Sequence, residues 1–197
     1  MNRTDYLAFH RECTARILAG NAPRELRYLV FTTQSFAVTP DGQVRRNIVG
    51  GFADRLKGVT TAFYLAVATG RYFMVDWTDP CPLENDLAPT PDGIDWRARF
   101  EGLPLEPSDV QPFNLIDDRY ETCSATIASG DIESIWGQRR CVVLNINRIA
   151  PEIADNPRYR VDIASFLKGP ATSQELFHRA YQLMFQYEPT AGAVRQA

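Results

Sequence analysis

Two glycines, an acid and an arginine in close order carry the most chemistry in this sequence: Gly50-Gly51-Phe52-Ala53-Asp54-Arg55. Paired glycines permit a positive φ and let another group approach the backbone closely. A helix that starts there presents unpaired N–H groups and a partial positive charge, which together suit an anion. The Arg55 guanidinium can fork onto a phosphate or a carboxylate. Asp54 can cap the helix, accept a bond from a sugar hydroxyl, or pair with a neighbouring cation. The same spacing also serves an ordinary turn whose charged first helical residues do nothing beyond capping. It is neither G-x-G-x-x-G nor G-x-x-x-x-G-K-[ST], so nicotinamide and ATP are not indicated.

Other candidates are sparser. Asp76 and Asp79 flank Trp77. A carboxylate there could bind a hydroxyl or act as a general base beside a sugar-stacking indole. The alternative is a polar turn with Trp77 packed on the core. Asp117-Asp118-Arg119-Tyr120-Glu121 lacks the paired spacing of metal ligands and reads as a solvated loop. His10 and His178 fall on expected helices, as packed or exposed side chains. No serine sits in G-x-S-x-G, so a hydrolase triad has no anchor.

The elements that must position the corner follow from periodicity. Residues 4–19 read as a first helix, ended by Gly20-Asn21 and Pro23. Residues 27–33, with Tyr28-Leu29-Val30-Phe31, read as a short buried strand. A polar loop or a hairpin about Pro40-Asp41-Gly42 comes next. After the glycines, Leu56, Val59, Thr60, Phe63, Ala66 and Val67 repeat at helical spacing over 54–69. Gly70 stops that helix, and Arg71 to Trp77 reads as a strand. Strand, glycine turn, helix, glycine, strand is the order of a right-handed βαβ unit.

From Thr78 to Pro112 the chain is rich in Pro, Asp and Gly, and loop with a helical piece at 94–100 is expected. Residues 132–136 read as a helical turn and 141–146 as a third strand. The stretch 165–168 gives no clear pattern. A last helix over 174–187 is capped by Thr172 or Ser173 and closed by Pro189.

The 197 residues, 45 % hydrophobic, fit one domain over residues 1–197 with a full core. A net charge of −3, with no basic cluster longer than Arg45-Arg46 or Arg139-Arg140, argues against a nucleic-acid partner. No apolar run approaches the ~20 residues of a membrane span. The segment Met1 to Arg16 has no signal-peptide core, so a cytoplasmic protein is expected. Cys13, Cys81, Cys123 and Cys141 are widely spaced and read as small buried hydrophobes, not as a zinc site or a disulfide framework.

Gly50-Gly51-Phe52-Ala53-Asp54-Arg55-Leu56-Lys57-Gly58, a helix, then Thr69-Gly70-Arg71-Tyr72-Phe73-Met74-Val75-Asp76-Trp77 resembles the opening of fucosyltransferase-like proteins. These include nodulation α-1,6-fucosyltransferases, plant xyloglucan fucosyltransferases and protein O-fucosyltransferases. The likeness is close over residues 27–80 and looser through 141–146 to Tyr187-Glu188-Pro189. Ala53 departs from the glycine often seen at that position.

The resemblance implies an α/β fold: a Rossmann-like parallel sheet with flanking helices, one half of a GT-B glycosyltransferase. It implies inverting transfer from GDP-fucose to a hydroxyl acceptor, with no metal and no cofactor beyond that co-substrate. Gly50, Gly51, Phe52, Ala53, Asp54 and Arg55 would then line a cleft and touch the donor, with Asp76 as a candidate carboxylate. The H-x-R-x-G-D-like segment of the family's second domain is absent: His10-Arg11 runs into Glu12-Cys13, and His178-Arg179 lies in a helix. The expectation is an N-terminal half, completed by another domain or chain. The alternatives are a non-catalytic nucleotide-sugar or glycan-binding module, and a homo-oligomer that covers the exposed half-cleft.

Overall fold

The computed structural model describes residues 1–38, 44–48, 50–101, 103–114, 120–169 and 172–187. The chain opens with α1 (Arg3–Leu18), whose N-cap Asn2 accepts from Asp5 N–H. Strand β1 (Tyr28–Thr32) is buried at every position. The hairpin alternative holds for the next segment: β2 (Gln34–Val38) and β3 (Val44–Ile48) pair antiparallel. The turn residues 40–42 lie outside the described residues, as do 117–119 of the acidic cluster and Pro189.

Helix α2 (Phe52–Thr69) then leads through Gly70, in the left-handed region at φ 61°, into β4 (Tyr72–Asp76). Strand β4 lies parallel beside β1 in register Thr32 to Asp76. The βαβ order expected from the sequence is therefore present, with a hairpin inserted before its helix. A short strand β5 (Leu87–Pro89) follows, then β6 (Val110–Asn114), α3 (Tyr120–Ser129), α4 (Ile132–Ile135) and β7 (Cys141–Asn145). The chain ends through α5 (Arg160–Leu167), α6 (Ser173–Met184) and β8 (Phe185–Tyr187).

The main sheet is parallel, in the order β4-β1-β7-β6. Pro112 in β6 costs nothing, because β6 is an edge strand. On one face Leu29, Phe31, Phe73, Val75, Val142 and Leu144 pack against α2, α5 and α6. On the other, Tyr28, Val30, Tyr72, Met74 and Cys141 meet Cys13 and Ile17 of α1. Helix α2 is thus enclosed between the sheet and two other helices, and is apolar well beyond one stripe. Two of its threonines are satisfied within the helix: Thr60 Oγ1 donates to Leu56 O at 3.0 Å, and Thr69 Oγ1 to Leu65 O at 2.6 Å.

Two sequence readings are corrected, and a stretch without a clear pattern gains an assignment. The last helix stops at Met184, and Phe185 to Tyr187 pair with Leu87 to Pro89. The carbonyls that would continue the helix are taken: Leu183 O accepts from Ile94 N–H and Thr90 Oγ1, and Met184 O from Trp96 Nε1. Residues 94–100 are not helical. Ile94 and Trp96 are buried while Asp95 holds Arg97 and Arg99, and Arg97 bridges Val75. Finally, 165–168 ends a helix, α5, terminated by Lys168 at φ 54°. Among the cysteines, Cys13 and Cys141 are buried but Cys81 is exposed.

His10 is buried against the sheet. Its Nε2 faces Phe73 O at 2.9 Å, and its ring stacks on Tyr72 at 4.3 Å. Burial is the main cause that lowers its pKa from 6.5 to about 4; the Phe73 carbonyl and Asp95 oppose that, and Arg99 adds to it. The neutral ring is the one the fold accepts, so this stability is complete above pH 6.5 and lost as the pH falls through 4. Acid titration should therefore weaken the fold by on the order of 2–3 kcal/mol across that window. A His10→Gln variant followed by denaturant midpoint should lose that pH slope. A slope unchanged in the variant would assign it to other groups.

Candidate functional site

The glycine corner sits at the carboxyl ends of the parallel strands, where open α/β sheets place ligands. Gly50 adopts φ 68°, a conformation glycine takes without strain. Gly51 is the N-cap of α2 and brings no side chain to it. The first intrahelical bond there runs from Arg55 N–H to Gly51 O at 3.1 Å. The N–H groups of Phe52, Ala53 and Asp54 precede it and so have no place in the helix ladder. Asp54 does not cap them; its carboxylate pairs with Lys57 at 2.9 Å.

Arg55 is placed differently from an open anion-binding side chain. It is only 6 % exposed. Its Nε donates to Gly50 O at 3.1 Å and its Nη1 to Asp79 O at 2.5 Å. The guanidinium also lies 5.4 Å from the Trp77 ring centroid. Arg55 therefore fastens the glycine corner to the loop after β4. The loop after β7 closes the other side: Thr61 Oγ1 donates to Arg148 O at 2.6 Å and accepts from Ala150 N–H at 2.9 Å. A Cβ on Gly50 would stand 3.8 Å from Asn147 Cβ.

The sheet end itself is polar. Asp76 is in register with Thr32 across β4 and β1, and Asn145 with Asn114 across β7 and β6. Because Phe31 pairs with Leu144, Thr32 and Asn145 are next in line, and the four residues form one row. Asn145 Nδ2 and Thr33 Oγ1 are buried without a hydrogen-bond partner. Such groups in a folded protein call for a ligand or ordered water. Asp76 is half-buried; burial chiefly, with Glu84 and Asp79 adding, raises its pKa. That direction suits a carboxyl that accepts a proton. Thr33 and Asn145 were not singled out from sequence. Their signal was there: polar side chains, Thr32-Thr33 and Asn145, follow the apolar runs Tyr28 to Phe31 and Cys141 to Leu144.

A cleft of about 270 Å³ opens beside the corner, lined by Gly51, Phe52, Trp77, Leu83 and Asp86 among others. A larger one, about 620 Å³, lies at the amino end of the sheet. Its charges are spent on one another, Arg27 with Glu133 and Arg158 with Asp131. Among the described residues no three His, Cys, Asp or Glu side chains are placed to hold a metal ion, and no helix is long and apolar enough to cross a membrane.

The fold has a solved counterpart in a mutant of Arabidopsis thaliana FUT1, a xyloglucan fucosyltransferase, in complex with GDP. The fold is fucosyltransferase-like. The two superpose with a TM-score of 0.63 at 12 % sequence identity over 93 % of this chain. The chain spans 45 % of that enzyme's length. No protein-family model matches the sequence, and no curated protein matches it. The likeness therefore lies in the fold, and the α/β architecture expected from the sequence is the one observed.

Proposed function

We propose that this chain is a fucosyltransferase-like glycosyltransferase domain of GT-B type, which transfers a sugar from a nucleotide donor, GDP-fucose, to a hydroxyl acceptor. One observation carries the reading: the uncapped N-terminus of α2 opens at the sheet's carboxyl end, in a fold shared with a GDP-bound fucosyltransferase. The N–H groups of Phe52, Ala53 and Asp54 hold donor phosphate oxygens, as preorganised dipoles that need no rearrangement. Asp76 takes the proton of the acceptor hydroxyl. Gly50 and Gly51 leave the backbone open to the donor. Arg55 shapes the corner: it is nearly buried, and its Nε and Nη1 serve Gly50 O and Asp79 O. The cation that neutralises the leaving diphosphate comes from a second domain or chain.

That last point favours a second reading, a nucleotide-sugar binding module without turnover. Thermal denaturation with GDP, GDP-fucose and UDP-glucose tests both. A donor at a hundred times its Kd should raise the melting temperature by roughly 5–10 °C. A shift with GDP-fucose accompanied by GDP release supports transfer, and a shift without release supports the module. No shift with any of the three sinks both.

A further inference from the structure

We infer that the cleft beside the glycine corner is a sugar-ring subsite in which Phe52 is the stacking platform. The inference rests on the reading of the corner as a transferase cleft and names the part of that cleft which takes the acceptor. Trp77, the expected stacking residue, is only 3 % exposed. Its ring is covered by the Arg55 guanidinium at 5.4 Å and by Phe52 at 5.3 Å between centroids. Phe52, by contrast, is 50 % exposed although it opens a helix that is otherwise largely enclosed. Trp77 backs it and holds its ring in place, leaving the remaining surface to the cleft.

The composition of the cleft selects the occupant. Its volume of about 270 Å³ is smaller than a drug-sized pocket, and it has room for one ring rather than an extended chain. Pro80 and Leu83 line it with apolar surface, Asp86 brings a carboxylate, and Arg55 and Cys81 complete the lining with Gly51 and the two aromatic rings. An alkyl chain would leave the carboxylate without a partner. A pyranose satisfies ring and carboxylate at once: its C–H face lies on Phe52 and a hydroxyl donates to Asp86.

Saturation-transfer NMR with the methyl glycosides of glucose, galactose, mannose and N-acetylglucosamine tests this on the whole chain. At least one glycoside should receive saturation at its ring C–H protons. The Phe52→Ala variant should weaken that binding by about three- to tenfold, the scale of one lost stacking contact, and Phe52→Tyr should restore it. Because Phe52 is half exposed, the alanine variant should melt within a degree or two of the parent. The GDP-induced thermal shift of the parent chain reports the phosphate site separately. The inference is overturned if no glycoside binds, if binding ignores the Phe52→Ala change, or if guanosine and not a glycoside loses affinity in that variant. GDP binding alongside any of those results would leave the transferase reading standing and remove only the sugar subsite.

Discussion

Replacing Gly58 by alanine should lower the melting temperature by about 6–12 °C, the equivalent of about 3 kcal/mol in a chain of this size. A Cβ at that position would stand 1.8 Å from Ile146 O, 2.7 Å from Ile146 C and 2.9 Å from Phe31 Cε2. Two of those three atoms are backbone, so no side-chain rotation relieves the clash. Alanine gains about 1 kcal/mol of helix propensity over glycine, which is too little to offset it. Relief has to come from a shift of the loop after β7 away from α2. That loop begins at Ile146 and carries Asn147, the neighbour of Gly50. Loss of stability should therefore come with weaker binding of GDP or GDP-fucose. Gly51→Ala is the control for the melting temperature, since a Cβ there meets nothing within 4 Å. A Gly58→Ala protein that melts with the parent would show that helix and loop are not in tight contact, and would separate the corner from the β7 loop.

The sequence made the βαβ unit legible because its signals are local. Gly50, Gly51 and Gly70 punctuate a helix whose apolar residues recur at helical spacing, and both flanking strands are short buried runs. What it hid was set by partners far along the chain. Strand β8 looks helical in isolation, because Phe185 continues the apolar face of α6. It becomes a strand because β5 and the 90–96 segment offer hydrogen bonds across about ninety residues of sequence. Arg55 has the residue type and position of an anion ligand, but the Asp79 carbonyl and the Trp77 face take it inward. The family resemblance puts Phe52 in the cleft with its five neighbours, and the depth of Trp77 is what makes its exposure informative. The sequence thus marks the corner as a candidate, while the surroundings of its members depend on burial.

The Thr69-Gly70-Arg71 step that helped suggest the family is explained by a structural role, and Glu133→Ala should show it with a loss of about 3–5 kcal/mol. Arg71 is completely buried. Its Nε and Nη2 donate to the two oxygens of Glu133 at 2.9 and 2.8 Å, in the fork geometry that favours arginine over lysine. Its Nη1 reaches Tyr28 O at 3.2 Å and Arg140 O at 3.3 Å, and the guanidinium lies 5.2 Å from the Trp136 ring centroid. One side chain thus ties the amino ends of β4, β1 and β7 to α4. Removing Glu133 leaves a desolvated charge with two carbonyls and the Trp136 ring but no anion, which is costlier than never having buried the pair. The double variant Arg71→Met with Glu133→Leu should accordingly recover most of the stability lost by Glu133→Ala. Arg27, which also pairs with Glu133 at 3.0 Å, is partly exposed and can turn to water in either variant. Denaturant midpoints at neutral pH read the difference, and GDP-induced thermal shifts read the site. The pair lies at the amino end of the sheet and the glycine corner at the carboxyl end, so the refolded double variant should keep its nucleotide shift. A double variant as unstable as Glu133→Ala would mean that the ion pair specifies the strand arrangement itself; a stable one without nucleotide binding would mean that the two ends of the sheet are coupled.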